Sequence, residues 1–221
     1  MMSPISWNDL IAQPDIQGLI ELALKEDIGD GDVTTRWCFP QPKIVSAQII
    51  AREETVVCGL PLAQLLFSRL DPSIEFLQVA QEGDLVSSGQ SLLELRGDVR
   101  SLLTAERCAL NFLMRLCGIA SGARKATNVI PSDCKAQIFD TRKTTPGWRR
   151  LEKAAVYTGG AQNHRFGLFD AVLIKDNHIA AAGSIKEAIE LCRAQAPEGM
   201  TIQVEIDTLE QLNPALQANP D

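Results

Sequence analysis

Apolar side chains recur at helical spacing in PDIQGLIELALKED (14–27), where Ile16, Leu19, Ile20, Ala23 and Leu24 share one face. The spacing predicts a helix that ends at Gly29 and Gly31. Residues 43–51 and 55–58 read as strands, PLAQLLFSRL (61–70) as a helix and IEFLQVAQ (74–81) as another strand. EGDLVSSGQSLLELRGD (82–98) continues with short strands and turns. TAERCALNFLMRLCGIASGARKATNVI (104–130) carries the strongest helical pattern in the chain. Ala105, Ala109, Phe112, Leu113, Leu116 and Ala120 form its apolar stripe. Thr104 is placed to cap it, and Glu106 falls in the first turn, where a carboxylate meets the positive end of the helix.

Beyond this helix the pattern changes. A buried strand at 136–140 is followed by a helix at 147–158, an extended segment at 161–166 and a strand at 170–176. A helix at 184–195, a strand at 201–207 and a helix at 208–217 complete the series. Alternating strand and helix predicts a parallel sheet, open or closed into a barrel, so the fold class is α/β. The expected division is an N-terminal domain at 1–116, with the long helix as its link, and a barrel-type domain at 117–221.

The 221 residues are 45% hydrophobic and 22% charged, as in ordinary globular proteins. The net charge of −7 argues against a nucleic-acid or membrane-surface protein. That charge is unevenly spread. Residues 140–178 hold seven Lys and Arg against four Asp and Glu, and the rest of the chain fourteen against twenty-four. A positive region within an acidic chain suits a small, highly charged anion. The six cysteines show no CxxC pairing and there are two histidines, which disfavours a zinc site. Such cysteines read as reduced and mostly core residues, pointing to a cytoplasmic protein. MMSPISWNDL lacks the apolar stretch of a secretion signal, and no apolar run is long enough to span a membrane.

Two tempting motifs fail. DIGDGD (27–32) hints at a calcium loop, but neither Asp27 nor Asp30 as first ligand leads to the glycine and glutamate that such a loop requires. GDLVSSGQSLLEL (83–95) has the turns of a carrier hairpin but no lysine at its tip.

In α/β sheets and barrels, ligands sit at the carboxyl ends of the parallel strands. Here QIF leads into Asp140, Arg142 and Lys143, and AVLI into Lys175, Asp176, Asn177 and His178. IQV leads into Glu205 and Asp207, and a glycine pair precedes His164 and Arg165. Any one such charge is ordinarily a solvated loop residue. Several cations on one rim point instead to an anion site, since Arg grips carboxylates bidentately and Lys supplies a compact charge. Glu205 and Asp207 supply oxygen ligands of the type Mg2+ takes.

DTRKTTPG, EKAAVYTGGAQNHR, FDAVLIKDNHI and VEID, preceded by TAERCALNFLMRLCGIAS, resemble the quinolinate phosphoribosyltransferase family. EDIGDGDVTT resembles the amino-terminal segment of the same family. The resemblance implies an α/β sandwich followed by an incomplete seven-stranded α/β barrel. It also implies transfer of phosphoribose from phosphoribosyl pyrophosphate to quinolinate with Mg2+. The products are nicotinate mononucleotide, pyrophosphate and CO2, on the route to NAD. Carried over by motif, Arg142, His164 and Arg165 hold the quinolinate carboxylates, and Lys143 and Lys175 face the dicarboxylate and the pyrophosphoryl donor. Glu205 lies near Mg2+ and ribose, and Arg107 is supplied across a homodimer. Many relatives have a glycine where this chain has Ala161, a substitution that the loop is expected to tolerate.

About four strands fall within 135–207, against the seven that the resemblance implies, so a fragment or truncated product without efficient activity is one expectation. A Schiff-base aldolase using Lys175 and a non-catalytic or transport-linked paralogue are the competing readings.

Overall fold

A computed structural model describes residues 6–221, which form two compact units, one reaching His164 and one beginning at Arg165. In the first unit, helices α1 (Trp7–Ile11), α2 (Pro14–Ile28) and α3 (Val33–Cys38) lead into strands β1 (Ile44–Ile50) and β2 (Thr55–Val56). Helix α4 (Leu60–Leu70), strands β3 (Glu75–Gln78), β4 (Leu85–Val86) and β5 (Ser91–Asp98), and helices α5 (Val99–Thr127) and α6 (Arg149–Thr158) follow. β5 is the centre of an antiparallel sheet ordered β1-β5-β3, and β2 pairs with β4. The core joins Leu93 and Leu95 of β5, Leu62 and Leu66 of α4, the stripe of α5, and Leu151 and Ala155 of α6.

The predicted stripe of α5 is buried along its whole length, from Ala105 to Ala120. The helix nevertheless starts earlier than its periodicity suggests. Asp98, not Thr104, is the cap, its carboxylate accepting the Arg100 N–H at 3.0 Å. Thr104 sits inside the helix and its hydroxyl donates to Asp32 at 3.3 Å. Within DIGDGD, Asp32 caps α3 by accepting the Thr35 N–H at 2.9 Å. α2 has the predicted limits, with Pro14 in its first turn and Gly29 beyond its end at φ +52°.

The largest departure is KAQIF. It is exposed rather than buried, with Ile138 at 36% and Phe139 at 42% exposure. Its pairing is a single parallel bridge between Phe139 and Gln162, which covers one edge of the backbone and leaves the side chains open. The cysteines divide. Cys58, Cys108 and Cys117 are core residues, and burial pushes the last two thiols up to about 11. Cys38 and Cys134 are exposed, against the expectation for a core set.

The second unit contains strand β6 (Val172–Ile174), helices α7 (Asp176–Ala182) and α8 (Ile185–Gln195), strand β7 (Ile202–Val204), a 3-10 turn (Leu209–Gln211) and helix α9 (Leu212–Gln217). β6 and β7 pair in parallel, as the alternation predicts. Ile174, Ile185, Ala188, Ile189, Ile202 and Ala215 form its separate core. Among the described residues, no helix is long and apolar enough to cross a membrane.

Candidate functional site

In the first unit, the Phe139–Gln162 bridge aligns two chain segments in the same direction. The Asp140 N–H donates to the Gln162 carbonyl at 3.0 Å, and the Gln162 N–H to the Ile138 carbonyl at 2.8 Å. Both segments therefore deliver their charged residues from the same end, Arg142 and Lys143 from one and His164 from the other. Lys143 is exposed. Arg142 is half-buried, and its Nε is buried with no hydrogen-bond partner. Buried N–H groups are nearly always bonded, so such a guanidinium marks a place for an acceptor.

Behind these residues Asp140 meets a partner that sequence reasoning missed, Lys153. Lys153 of α6 and Asp140 are both shut off from solvent and meet at 2.7 Å. Lys153 Nζ also donates to the His164 carbonyl at 2.9 Å, while the His164 N–H donates to Asp140 Oδ1 at 2.8 Å. The Asn163 carboxamide, turned with its nitrogen toward the acceptors, donates to Asp140 Oδ2 at 2.8 Å and to the Lys153 carbonyl at 3.0 Å.

A second cluster anchors the loop between Lys143 and α6. The buried Glu152 accepts from Arg115 of α5 and from the Thr145 N–H at 3.3 Å. Arg115 also donates to the Thr145 hydroxyl and lies over Trp148, 5.2 Å from the ring centre. Trp148 stacks on Phe112 at 4.6 Å. The far end of α6 is held by Arg124, whose Nε donates to the Gly159 carbonyl at 2.9 Å. This is a cation at the negative end of a helix. Gly160 has φ +97°, whereas Ala161 is buried without a left-handed backbone, so a third glycine is not required there.

In the second unit, Lys175 and Glu205 follow β6 and β7 directly and form an ion pair at 2.8 Å. The register brings them together, since the Glu205 N–H donates to the Ile174 carbonyl at 2.8 Å. His178 faces back to the backbone, its Nδ1 accepting the Lys175 N–H at 2.9 Å and so capping α7. Arg165 Nη1 donates to the Ala171 carbonyl at 3.0 Å. Among the described residues no three His, Cys, Asp or Glu side chains gather as a metal cluster. Glu205 offers one half-exposed carboxylate, which fits Mg2+, an ion commonly held by one or two carboxylates with the remaining positions taken by water and phosphate. Arg107 lies on an exposed position of α5.

Two family models match the chain: the N-terminal domain of quinolinate phosphoribosyl transferase over residues 32–117 and its C-terminal domain over 119–221. A probable carboxylating nicotinate-nucleotide pyrophosphorylase of Bacillus subtilis is 44% identical over 89% of this chain and 67% of its own length. A protein of Synechocystis sp. with the same description is 46% identical over 87% of this chain, which spans 65% of that relative. Among solved structures, NadC from Streptococcus pyogenes superposes with a TM-score of 0.89 at 41% identity, covering 93% of this chain and 73% of that one. Matched by both domain models over most of its length, the chain belongs to the quinolinate phosphoribosyltransferase family.

Proposed function

We propose that the protein takes part in NAD biosynthesis by joining quinolinate to phosphoribosyl pyrophosphate, releasing pyrophosphate and CO2 and giving nicotinate mononucleotide. The observation that carries this reading is the DTRK loop within a family member. A guanidinium with a buried, unpartnered N–H stands beside an exposed ammonium, and His164 leaves the parallel neighbour in the same direction. That arrangement suits a rigid dicarboxylate, which gives Arg142 a charged acceptor and Lys143 a second negative charge.

From the first unit, Arg142, Lys143 and His164 bind and orient quinolinate. In the second unit, taken by itself, the family resemblance assigns carboxylate binding to Arg165, the dicarboxylate and the pyrophosphoryl donor to Lys175, and ribose and Mg2+ to Glu205. Bound Mg2+ would neutralise charge on the pyrophosphoryl group, with Glu205 as its protein ligand. The pyridine nitrogen attacks the anomeric carbon as the bond to pyrophosphate breaks. Fixed cations favour that step because negative charge grows on the leaving group. Loss of CO2 from the carbon next to the ring nitrogen leaves an electron pair that the positively charged nitrogen stabilises, and a proton from water then takes the place of the lost carboxylate. Orientation by the Arg and Lys side chains keeps the reacting atoms in line.

The Schiff-base alternative has weaker support. The Lys175 side chain is 45% exposed and paired with Glu205, whereas amine nucleophiles are activated by desolvation or by a neighbouring cation. A homodimer in which Arg107 serves the partner's site, and a cytoplasmic location, belong to the same proposal.

The test follows formation of nicotinate mononucleotide from quinolinate, phosphoribosyl pyrophosphate and Mg2+, alongside calorimetric binding of quinolinate. Product formation supports the reading. Absence of both product and quinolinate binding by a folded protein would overturn it.

A further inference from the structure

The Asp140–Lys153 pair has an unusual setting. The two side chains are 8% and 4% exposed, yet a buried ion pair is a poor source of stability, because desolvation offsets the attraction. What the pair does supply is direction. Lys153 reaches from α6 to Asp140 at 2.7 Å and to the His164 carbonyl at 2.9 Å. Asp140 accepts the His164 N–H at 2.8 Å through one oxygen, and the Asn163 carboxamide at 2.8 Å through the other. His164 is thus held at both its N–H and its carbonyl, and Arg142 lies two residues beyond Asp140.

Backbone pairing alone holds these segments weakly. Between them it consists of one isolated bridge, Phe139 with Gln162, and both Ile138 and Phe139 are substantially exposed. The apolar packing that sets strand positions elsewhere in this unit is missing at this point. The polar network stands in its place, tying the end of one segment, helix α6 and the end of the other segment to common atoms.

We infer that Asp140, Lys153 and Asn163 act as positioning residues, a polar lock that fixes the DTRK loop relative to His164. The lock sets the spacing at which Arg142, Lys143 and His164 meet the two carboxylates. None of the three lock residues needs to touch the ligand. The ligand assignment rests on the proposed function, whereas the lock itself does not.

Hydrogen exchange on the 221-residue chain separates these two layers. Lys153→Met removes the central cation but strands the Asp140 charge and risks misfolding. Asn163→Ala strands no charge and serves as the deciding variant. In each folded variant, amides in peptides spanning 140–147 and 161–166 should exchange on the order of tenfold faster, with peptides from α4 and α5 unchanged. Quinolinate affinity by calorimetry should fall roughly tenfold to a hundredfold, as expected when binding groups lose their spacing. Uniform acceleration across the chain with unchanged quinolinate affinity would assign the network a merely structural role and overturn the proposal. Unchanged exchange in both segments of Asn163→Ala would overturn it as well. If the unaltered protein fails to bind quinolinate, the functional reading falls, and the exchange pattern alone judges the lock.

Discussion

Gly159 is where α6 ends against α5, and replacing it with alanine tests how tightly that junction sets the site. A Cβ at this position would lie 2.3 Å from the Ala120 carbonyl oxygen and 2.6 Å from the Ala123 Cβ. The backbone conformation is not the obstacle. Its φ of −70° and ψ of −10° are open to any L residue. The obstacle is space, and the nearest atom belongs to helix backbone, which cannot rotate away. Ordinary contact begins at 3.4 Å, so relief of the 2.3 Å approach requires a shift of about 1 Å between the two helices. Overpacking of this kind costs about 1–3 kcal/mol. The same shift strains the Arg124–Gly159 hydrogen bond and reaches Asn163 and His164 a few residues on. A displacement of about 1 Å in binding groups lowers catalytic efficiency on the order of a hundredfold. Denaturant melts would measure the first effect and the kcat/KM of nicotinate mononucleotide formation the second. Gly118→Ala is the control, since its added Cβ meets nothing within 4 Å on the same α5. It should stabilise the chain by about 0.4–1 kcal/mol through helix propensity. If Gly159→Ala behaves like Gly118→Ala, the close approach does not govern this junction.

Two further outcomes follow from named groups. Arg142→Ala should weaken quinolinate binding by about 2–5 kcal/mol, the range for losing one partner of a buried charged contact, with a smaller loss for the monocarboxylate nicotinate; equal losses for both ligands would remove Arg142 from dicarboxylate recognition. Glu82 accepts the N–H groups of Gly59 and Leu60 at the start of α4, at 2.8–3.0 Å, and burial raises its carboxyl above the ordinary range despite those bonds. The folded chain then holds this proton more tightly than the unfolded chain. Its contribution is therefore fullest below the unfolded value and declines as pH rises through the raised folded value. Glu82→Gln should flatten that part of the stability–pH curve, measured by denaturant titration from about pH 4 to pH 7; parallel curves for the two proteins would show that Glu82 is not the source.

What the sequence discloses depends on whether a feature is local. The stripe of α5 is local, because apolar residues at helical spacing must share a face, and the structure buries that face throughout. The charged residues at strand ends are nearly local. Once alternation implies parallel pairing, direction places Arg142, Lys143, Lys175 and Glu205 beyond carboxyl ends, and the register brings the last two to 2.8 Å. The cap of α5 is where two local signals competed. Thr104 precedes the periodic run, but Asp98 ends β5 and offers a carboxylate one residue before the helix begins, so the helix takes up the intervening residues. KAQIF misleads for a different reason. Its residue types suit a strand, but burial is conferred by neighbours, and a single bridge supplies too few. Lys153 lies beyond local reading altogether. Its helical position beside Glu152 reveals neither partner: Glu152 turns to Arg115 while Lys153 turns to Asp140 and His164. Their partners lie at sequence separations of 37, 13 and 11 residues, and no periodicity encodes a contact across such distances. The groups that would meet a ligand are thus legible from their place at strand ends. The groups that hold them in place become visible only once the chain has folded, because their chemistry is defined by partners rather than by position.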